Sequence, residues 1–415
     1  MNAPVRPAAL LGLMALLLAS GALAAETEPG LAPGAPAAEP KPALPPRPPD
    51  SAPPPPDTWP HYRGGPQQLG VAAGVLPAEL TLRWTFETGD EIRSSAVIAG
   101  GRVYVGSMDS HVYCLDLETG ARVWSFEAGD AVEASPTLIG DAVVVGSADG
   151  VLHALDQKTG AERWSLTTGA SILGAAQGAR LPDGRRVALV GSYDNRLYAV
   201  DMATGKPVWT YTTENYLHGS PAVQGGRVVI GGCDGHVHVV RLSDGKPIRK
   251  IEAGSQVGGS VALSGELACV GNYGNQMLSL DITDGLVDWS YRDRNFPYFS
   301  SAAVDDTRVV FGGRDKRVHA VSREDGKPLW TFATRGKVDG SPVIVGHEVA
   351  IGSADGRLYI LNLADGNPRY TYDLGSAIQA TPAIASGMLV IGAANGKLQA
   401  FGPPVPAPAS NPPAK

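Results

Sequence analysis

The sequence predicts an all-β protein: an eight-bladed β-propeller of four-stranded antiparallel blades, closed by an N-terminal strand. Three observations predict this fold. A unit of about 40 residues recurs along the chain, each unit divides into short strand-like runs, and the last unit lacks its fourth run. A fixed period of this length, built from short strands, is typical of propellers.

Each unit ends on a strand that carries the same closing residue. The pattern is clearest in VLHALDQKTGAERW at residues 151–164. The residues at the closing place are Trp84, Trp124, Trp164, Trp209, Trp289 and Trp330, with Arg249 and Tyr370 in the two remaining units. Because a large flat ring can fill the gap between two packed sheets, we expect these tryptophans to dock each blade against its neighbour.

Turns separate the strand-like runs within a unit. In residues 132–169 the pair Asp149-Gly150 suits a tight hairpin, and Gly160 supplies the left-handed conformation of a second turn, as Gly120 and Gly205 do in other units. The Asp-Gly hairpin, or a close variant, occurs eight times, which predicts eight blades. We place these hairpins on the face opposite the loops that enter the innermost strands.

The two ends of the repeat array complement each other. After GKLQAF at 396–401 no fourth strand-like run follows, whereas TLRWTFETG at 81–89 is a fourth-strand run without a blade. We therefore expect residues 81–88 to complete the eighth blade, since this pairing removes an open sheet edge. The predicted propeller domain is 81–402, preceded by an extension at 59–80 that packs on it.

The N-terminus has the features of a secretory signal peptide at residues 1–24: Arg6, an apolar run at 8–19 and a small-residue cleavage site at 22–24. No cysteine follows the run, so we expect a periplasmic or secreted protein with neither a lipid anchor nor a membrane span. Proline-rich segments at 25–58 and 403–415 are predicted to be a disordered linker and a disordered tail.

The composition and the residue pattern argue against several classes of function. A formal net charge of −7 without basic runs argues against nucleic-acid binding. The cysteines Cys114, Cys233 and Cys269 form no CxxC motif, and we expect buried thiols rather than metal ligands. The histidines His153, His238 and His319 share one strand position with tyrosines of other units, so we expect packing residues. No catalytic, cofactor-binding or metal-binding residue is predicted.

One position varies inside the otherwise strict repeat, in the loop that enters each innermost strand and faces the central channel. Its residues are Arg93, Glu133, Leu173, His218, Gly258, Phe299, Asp339 and Gln379. These residues form either a hydrated rim without a ligand or a specialised binding surface. The loop RDRNFPYF at 292–299 adds Arg294, Phe296 and Tyr298, whose aromatic rings predict either a partner contact patch or a buried plug of the channel mouth.

The unit resembles the repeat of the pyrroloquinoline-quinone-type propeller family, Ala-x-Asp-x-x-Thr-Gly-x-x-x-Trp. One copy matches it through Ala154, Asp156, Thr159, Gly160 and Trp164, and WPHYRGGPQQLG at 59–70 resembles a segment that secreted members carry before the first blade. The resemblance implies one of two functions. One is a non-enzymatic scaffold, as in BamB-like members, and the other is a small dehydrogenase that uses the quinone with calcium.

The sequence favours the scaffold. The dehydrogenases of the family are commonly longer, with insertions that build a pocket and often adjacent cysteines, whereas here one unit is enlarged, around 178–186, and no cysteines are adjacent. We expect a monomer that binds protein partners and no cofactor, and the partners that the resemblance implies are envelope or outer-membrane assembly components. The quinone-dependent dehydrogenase remains the alternative.

Overall fold

The computed structural model describes residues 53–405. The predicted signal peptide, most of the predicted linker and most of the predicted tail lie outside the described residues. All described residues belong to one unit. They form 33 strands and no helix, and the strands after the first build eight sheets of four, in agreement with the predicted eight-bladed fold.

The first four blades follow the chain in order, each from its innermost to its outermost strand. Blade 1 has β3 (Val97–Ala99), β4 (Arg102–Gly106), β5 (His111–Asp116) and β6 (Arg122–Glu127). Blade 2 has β7 (Thr137–Ile139), β8 (Ala142–Gly146), β9 (Val151–Asp156) and β10 (Glu162–Thr167). Blade 3 has β11 (Gln177–Arg180), β12 (Arg186–Ser192), β13 (Arg196–Asp201) and β14 (Pro207–Thr212). Blade 4 has β15 (Ala222–Gln224), β16 (Arg227–Gly231), β17 (His236–Arg241) and β18 (Pro247–Glu252).

The remaining blades include both N-terminal strands. Blade 5 has β19 (Ala262–Ser264), β20 (Leu267–Gly271), β21 (Met277–Asp281) and β22 (Val287–Tyr291). Blade 6 has β23 (Ala303–Val304), β24 (Arg308–Gly313), β25 (Arg317–Ser322) and β26 (Pro328–Ala333). Blade 7 has β27 (Val343–Val345), β28 (Glu348–Gly352), β29 (Arg357–Asn362) and β30 (Pro368–Asp373), with β1 (Val71–Ala72) added in parallel beside β27. Blade 8 has β31 (Ala383–Ala385), β32 (Met388–Gly392), β33 (Lys397–Gly402) and β2 (Thr81–Glu87).

Burial follows strand position within each blade. Strand β8, AVVVG, is buried along its whole length because neighbouring sheets cover both of its faces. The outermost strand β10 consists of exposed and half-buried residues. Strand β2 pairs antiparallel with β33, from Thr81 opposite Gly402 to Glu87 opposite Lys397. The outermost strand of blade 8 therefore comes from the beginning of the propeller domain.

The tryptophans lie between blades. The Trp124 indole lies against Gly160 of the next blade, where an added Cβ would come within 2.7 Å of the ring, and Gly160 has a φ of 74°. The Trp209 indole donates a hydrogen bond to the Leu242 carbonyl, 2.9 Å away. Arg249, at the tryptophan place, donates instead to the Asp284 carbonyl at 3.0 Å. At the tryptophan and arginine positions, a planar donor thus joins one blade to a turn of the next blade.

The Asp-Gly hairpins lie on the same face as the loops that enter the innermost strands, so their predicted placement on the opposite face was wrong. The amide of Gly89 in an entry loop donates to the Asp109 carboxylate of a hairpin at 2.6 Å, and Gly169 does the same to Asp194 at 2.8 Å. The physical reason is strand parity. In a four-stranded meander the second turn and the exit of the fourth strand are at the same end.

Candidate functional site

The central channel is closed at one mouth by the N-terminal extension. We call residues 56–70 the plug. The Trp59 amide donates to the Ile98 carbonyl at 2.7 Å, and the Ile98 amide donates back at 2.9 Å. The plug also accepts, on the carbonyls of Pro56, Pro60, Pro66, Gln67, Leu69 and Gly70, the backbone N–H groups of Ser386, Leu138, Val223, Leu263, Val304 and Ile344. With the Gln68 amide, which donates to the Gln177 side chain at 3.1 Å, the plug contacts all eight blades.

A buried arginine fixes the plug. Arg63 is 1% exposed, and its guanidinium donates to the Pro342 carbonyl at 2.5 Å and to the Ala302 carbonyl at 2.6 Å. Gly70 makes room for it, since an added Cβ would lie 2.1 Å from the guanidinium. Burial lowers the pKa of Arg63 to about 10, and the side chain therefore stays charged at neutral pH.

The other mouth of the channel opens into a cavity of ≈ 330 Å³, which we call the cup. All eight variable entry-loop positions line it: Arg93, Glu133, Leu173, His218, Gly258, Phe299, Asp339 and Gln379. Tyr62 of the plug reaches the lining from the closed side, and its hydroxyl lies 3.3 Å from Ser341 Oγ. The structure thus brings together, at one concave site, the residues that vary most between units.

Hydroxyl groups surround the cup two residues after seven of the eight variable positions. The Ser95 amide donates to Ser135 Oγ of the next blade at 2.9 Å, and the Thr381 amide donates to Ser95 Oγ at 2.8 Å. The same bond joins Ala175 to Ser220, Ser220 to Ser260, Ser260 to Ser301 and Ser301 to Ser341. Sequence reasoning missed this ring, although a serine or threonine at this position in seven of the eight units was a visible signal.

Blades 3 to 6 give the cup an aromatic wall. Tyr193 and Tyr216 stack with their ring centroids 4.5 Å apart, and Tyr273 meets Phe299 edge to face at 4.3 Å. The Tyr193 hydroxyl lies 2.6 Å from His218 Nδ1. Burial lowers the pKa of His218 below its ordinary value.

The three tyrosines were not predicted from the sequence. Tyr193 and Tyr273 come directly before the turn residues of their hairpins, as Arg314 does in blade 6, and all three line the cup. For Tyr193 and Tyr273 the signal was a second variable position beside each hairpin, whereas Tyr216 lies in an entry loop two residues before His218. The signal beside the hairpins was overlooked because the hairpins were assigned to the wrong face.

Charged residues occupy the two flanks of the aromatic wall. On blades 6 and 7, Asp339 pairs with Arg314 at 2.9 Å and with Lys337 at 2.8 Å, and the Arg314 guanidinium lies 3.7 Å from the centroid of the Phe299 ring. On blades 1 and 2, Arg93 pairs with Glu91 at 2.8 Å and with Glu133 at 3.7 Å.

The loop at 292–299 divides its aromatic residues between the interior and the surface. Tyr298 is 1% exposed and packs on Phe311, with ring centroids 5.0 Å apart. For this residue the burial agrees with the buried alternative rather than with a partner contact. Phe299 lines the cup, and Phe296 is 47% exposed on the cup face. The Arg294 side chain is 48% exposed beside Asp293.

A group formed by Asp293, Asp315 and His319 has ligand atoms close enough to hold a metal ion. Both imidazole nitrogens of His319 are already engaged, Nε2 with Asp315 and Nδ1 with the Tyr291 hydroxyl at 3.1 Å. The same contact between a turn Asp and the residue four positions later recurs in other blades as Asp109–Tyr113, Asp194–Tyr198, Asp234–His238 and Asp355–Tyr359. The pair is therefore part of the repeat rather than a metal centre.

The thiols are buried, as predicted. Cys114, Cys233 and Cys269 are free, and burial raises the pKa of Cys233 to about 11 and that of Cys269 to about 12. Thiols with such pKa values are poor nucleophiles at neutral pH because little thiolate is present.

The model of the family described as outer membrane protein assembly factor BamB matches residues 77–215, 193–330 and 314–403. The chain belongs to this family. A comparison with curated protein sequences gave no match.

Solved structures share the fold at low sequence identity. BamB from Moraxella catarrhalis is 22% identical with a TM-score of 0.65, covering 78% of this chain and 98% of its own. A quinohemoprotein alcohol dehydrogenase from Comamonas testosteroni is 15% identical with a TM-score of 0.73, covering 86% and 82%. The computationally designed Ika8 protein is 19% identical with a TM-score of 0.67, covering 76% and 97%. An assembly factor and an alcohol dehydrogenase are both among these structures, so the fold alone does not separate the two functions.

The cup offers few of the ligands that the calcium implied by the resemblance would need. Calcium takes six to eight oxygen ligands that converge on one point. Among the described residues, the carboxylates that line the cup are Glu133 on blade 2 and Asp339 on blade 7, and each is paired with an arginine.

Within residues 53–405, no helix is both long and apolar enough to pass through a bilayer.

Proposed function

We propose that this protein is an exported, non-enzymatic propeller that binds a protein partner on its cup face, as part of envelope or outer-membrane protein assembly. The observation that carries the proposal is the difference between the two mouths of the channel. The chain fills one mouth with its own plug and leaves the other concave, with exposed aromatic side chains at its edge. Family membership supports the assembly role.

Exposed aromatic residues on the cup face support protein binding. Tyr273 is 41% exposed in the wall and Phe296 is 47% exposed on the neighbouring loop. Large aromatic residues and arginines dominate the binding energy of protein interfaces when a polar rim surrounds them. Arg294 and Lys337 belong to such a rim, with side chains 48% and 44% exposed.

The pairing of polar groups in the cup argues against catalysis. Asp339 is held between two cations, and Glu133 faces Arg93 at 3.7 Å. A general base must be free to accept a proton from a substrate at hydrogen-bond distance. These groups have partners within the protein, which supports a binding surface rather than a reaction centre.

Site-specific photo-cross-linking tests the proposal. A photoreactive phenylalanine analogue replaces Phe296 on the cup face and, as a matched control, Leu286, which is 65% exposed on a turn at the plug face. We expect one adduct of defined mass from position 296, competed by untagged wild-type protein, and none from position 286. An adduct from position 286 alone would assign binding to the other face.

Dye reduction separates the enzyme alternative. Purified protein is supplied with the quinone, calcium, alcohols or aldoses and an artificial electron acceptor. We expect no quinone-dependent turnover. Turnover that is lost in Glu133→Gln, with no adduct at position 296, would establish the dehydrogenase instead.

A further inference from the structure

We infer that the cup receives the tip of a peptide segment from the partner, with an aromatic side chain flanked by one basic and one acidic residue. This inference rests on the proposed function and names the chemistry of the segment. Three features of the cup carry it: its size, its aromatic wall and the separation of charge across it.

The size of the cup sets the size of the occupant. Ligand pockets usually measure about 300–1,000 Å³, and the cup, at ≈ 330 Å³, is at the small end of that range. Tyr62 and the plug close the channel beneath it. A folded domain cannot enter such a space and a chain cannot thread through it, so the cup suits one large side chain with its two neighbours.

The wall determines which side chain fits best. Four aromatic rings, those of Tyr193, Tyr216, Tyr273 and Phe299, lie on four consecutive blades. Aromatic rings attract one another in stacked or edge-to-face arrangements beyond the effect of buried area alone. Tyr273, which packs against Phe299, is 41% exposed. An inserted tryptophan, tyrosine or phenylalanine gains contacts there that an aliphatic side chain cannot make.

Charge is unevenly divided between the two flanks of the wall. On one flank Arg93 faces two carboxylates, Glu91 and Glu133, which leaves one formal negative charge. On the other flank Asp339 faces two cations, Arg314 and Lys337, which leaves one formal positive charge. Because the screening length is about 8 Å at physiological salt, each flank acts on charges near it. A segment with a basic residue toward Glu133 and an acidic residue toward Lys337 matches both.

Synthetic peptides test this directly on the full propeller. The probe is a fluorescein-labelled, terminally blocked Gly-Lys-Trp-Glu-Gly, and binding is measured by anisotropy at low and physiological salt. The comparison peptides replace the charged pair by two lysines or two glutamates, or replace tryptophan by alanine. We expect saturable binding that is tightest for the mixed-charge peptide and about threefold to tenfold weaker for each comparison peptide.

Protein variants assign the two flanks. Glu133→Gln is expected to weaken the mixed-charge peptide about threefold to tenfold without weakening the double-glutamate peptide. Lys337→Gln is expected to weaken the mixed-charge peptide similarly without weakening the double-lysine peptide. Lys327→Gln, at a lysine on the plug face whose side chain is 79% exposed and pairs with Asp325, is the matched control and should change none of the affinities.

Each result decides the inference. Equal affinity for all four peptides, or no saturable binding, overturns it, as does binding that Glu133→Gln and Lys337→Gln leave unchanged. If free tryptophan, itself a zwitterion, binds as tightly as the peptide, the cup is a small-molecule site and the peptide assignment is wrong. When these peptides fail but the cross-link at Phe296 still forms, the proposed function stands and only this inference falls.

Discussion

The two mouths of the channel are built in different ways. The plug is held by backbone hydrogen bonds to the blades and by buried side chains such as Trp59 and Arg63. The cup is built from side chains that pair with one another on loops. The same ring of blades therefore carries a rigid closure at one end and a surface of replaceable residues at the other, where variation changes binding without disturbing the fold.

Two arginines illustrate the difference. Arg63 in the plug is 1% exposed and binds two backbone carbonyls, whereas Arg314 in the cup pairs with Asp339 and covers Phe299, with its side chain 37% exposed. Surface ion pairs contribute little to stability, whereas removing a buried charged donor leaves its acceptors unpaired. The plug should therefore control stability and the cup should control recognition.

Aromatic truncation gives the largest expected contrast. Trp59 in the plug is 1% exposed and packs on Gly64, so Trp59→Ala should destabilise the protein by about 3–5 kcal/mol. Tyr273→Ala in the cup should cost less than about 1 kcal/mol, because the ring is 41% exposed. Urea unfolding followed by circular dichroism measures both. Equal losses would contradict the division between the mouths.

The arginine pair comes next. Arg63→Ala removes two charge-assisted hydrogen bonds and should lower the free energy of unfolding by about 2–4 kcal/mol. Arg314→Ala is the matched control and should lower it by less than about 1 kcal/mol. The same unfolding measurement applies. A change below about 1 kcal/mol for Arg63→Ala would mean that the backbone hydrogen bonds alone hold the plug.

The blades could be predicted from the sequence because their signals are local and repeated. The runs VVVGS and VVIGG, the Asp-Gly turns and the spaced tryptophans each follow from strand burial, turn geometry and docking within one unit. Comparing the units also selected the eight entry-loop residues that the structure brings together in the cup.

Other features could not be predicted, for different physical reasons. The path of the plug depends on backbone groups, which carry no residue signature, so residues 59–70 showed only a family resemblance. Tyr193 and Tyr273 were missed because turn type alone does not tell which end of a meander a hairpin occupies. The fate of Tyr298 and Phe296, one buried and the other exposed, depends on the packing of the loop on Phe311.

Acid should weaken the plug through His61. The His61 Nδ1 is enclosed and, among the described residues, has no hydrogen-bond partner, and burial lowers the pKa of this imidazole from 6.5 to about 4. Below pH 6.5 the unfolded chain takes up a proton that the folded protein refuses until about pH 4, so stability falls as the pH falls through this window. We expect a loss of about 2 kcal/mol rather than the full free energy that this pKa shift corresponds to, because His61 as a whole is only partly buried.

The His61 effect is measured as a difference between variants. His61→Gln should lose less stability than wild type between pH 7 and pH 4, whereas His347→Gln, at an exposed position, should follow wild type. The carboxylates of the protein also titrate in acid, but they contribute equally to all three proteins and therefore cancel in the comparison. Parallel curves for wild type and His61→Gln would show that His61 takes up its proton in the folded state as readily as in the unfolded state.

The smallest effect on stability should accompany the largest effect on partner binding. Tyr273→Ala and Phe296→Ala each remove a ring that is 41% and 47% exposed, so both variants should unfold within about 1 kcal/mol of wild type. Interface aromatic residues nevertheless often contribute 2 kcal/mol or more to binding, about a thirtyfold change in affinity. The affinity of Tyr273→Ala for the partner is measured by its competition with the cross-link at position 296. The affinity of Phe296→Ala is measured by co-purification with the partner that the cross-link identifies. Leu286→Ala on the plug face should bind as wild type does. A partner that binds Tyr273→Ala and Phe296→Ala at wild-type affinity would remove the cup face from the interface and leave the outer strand edges as the surface to test.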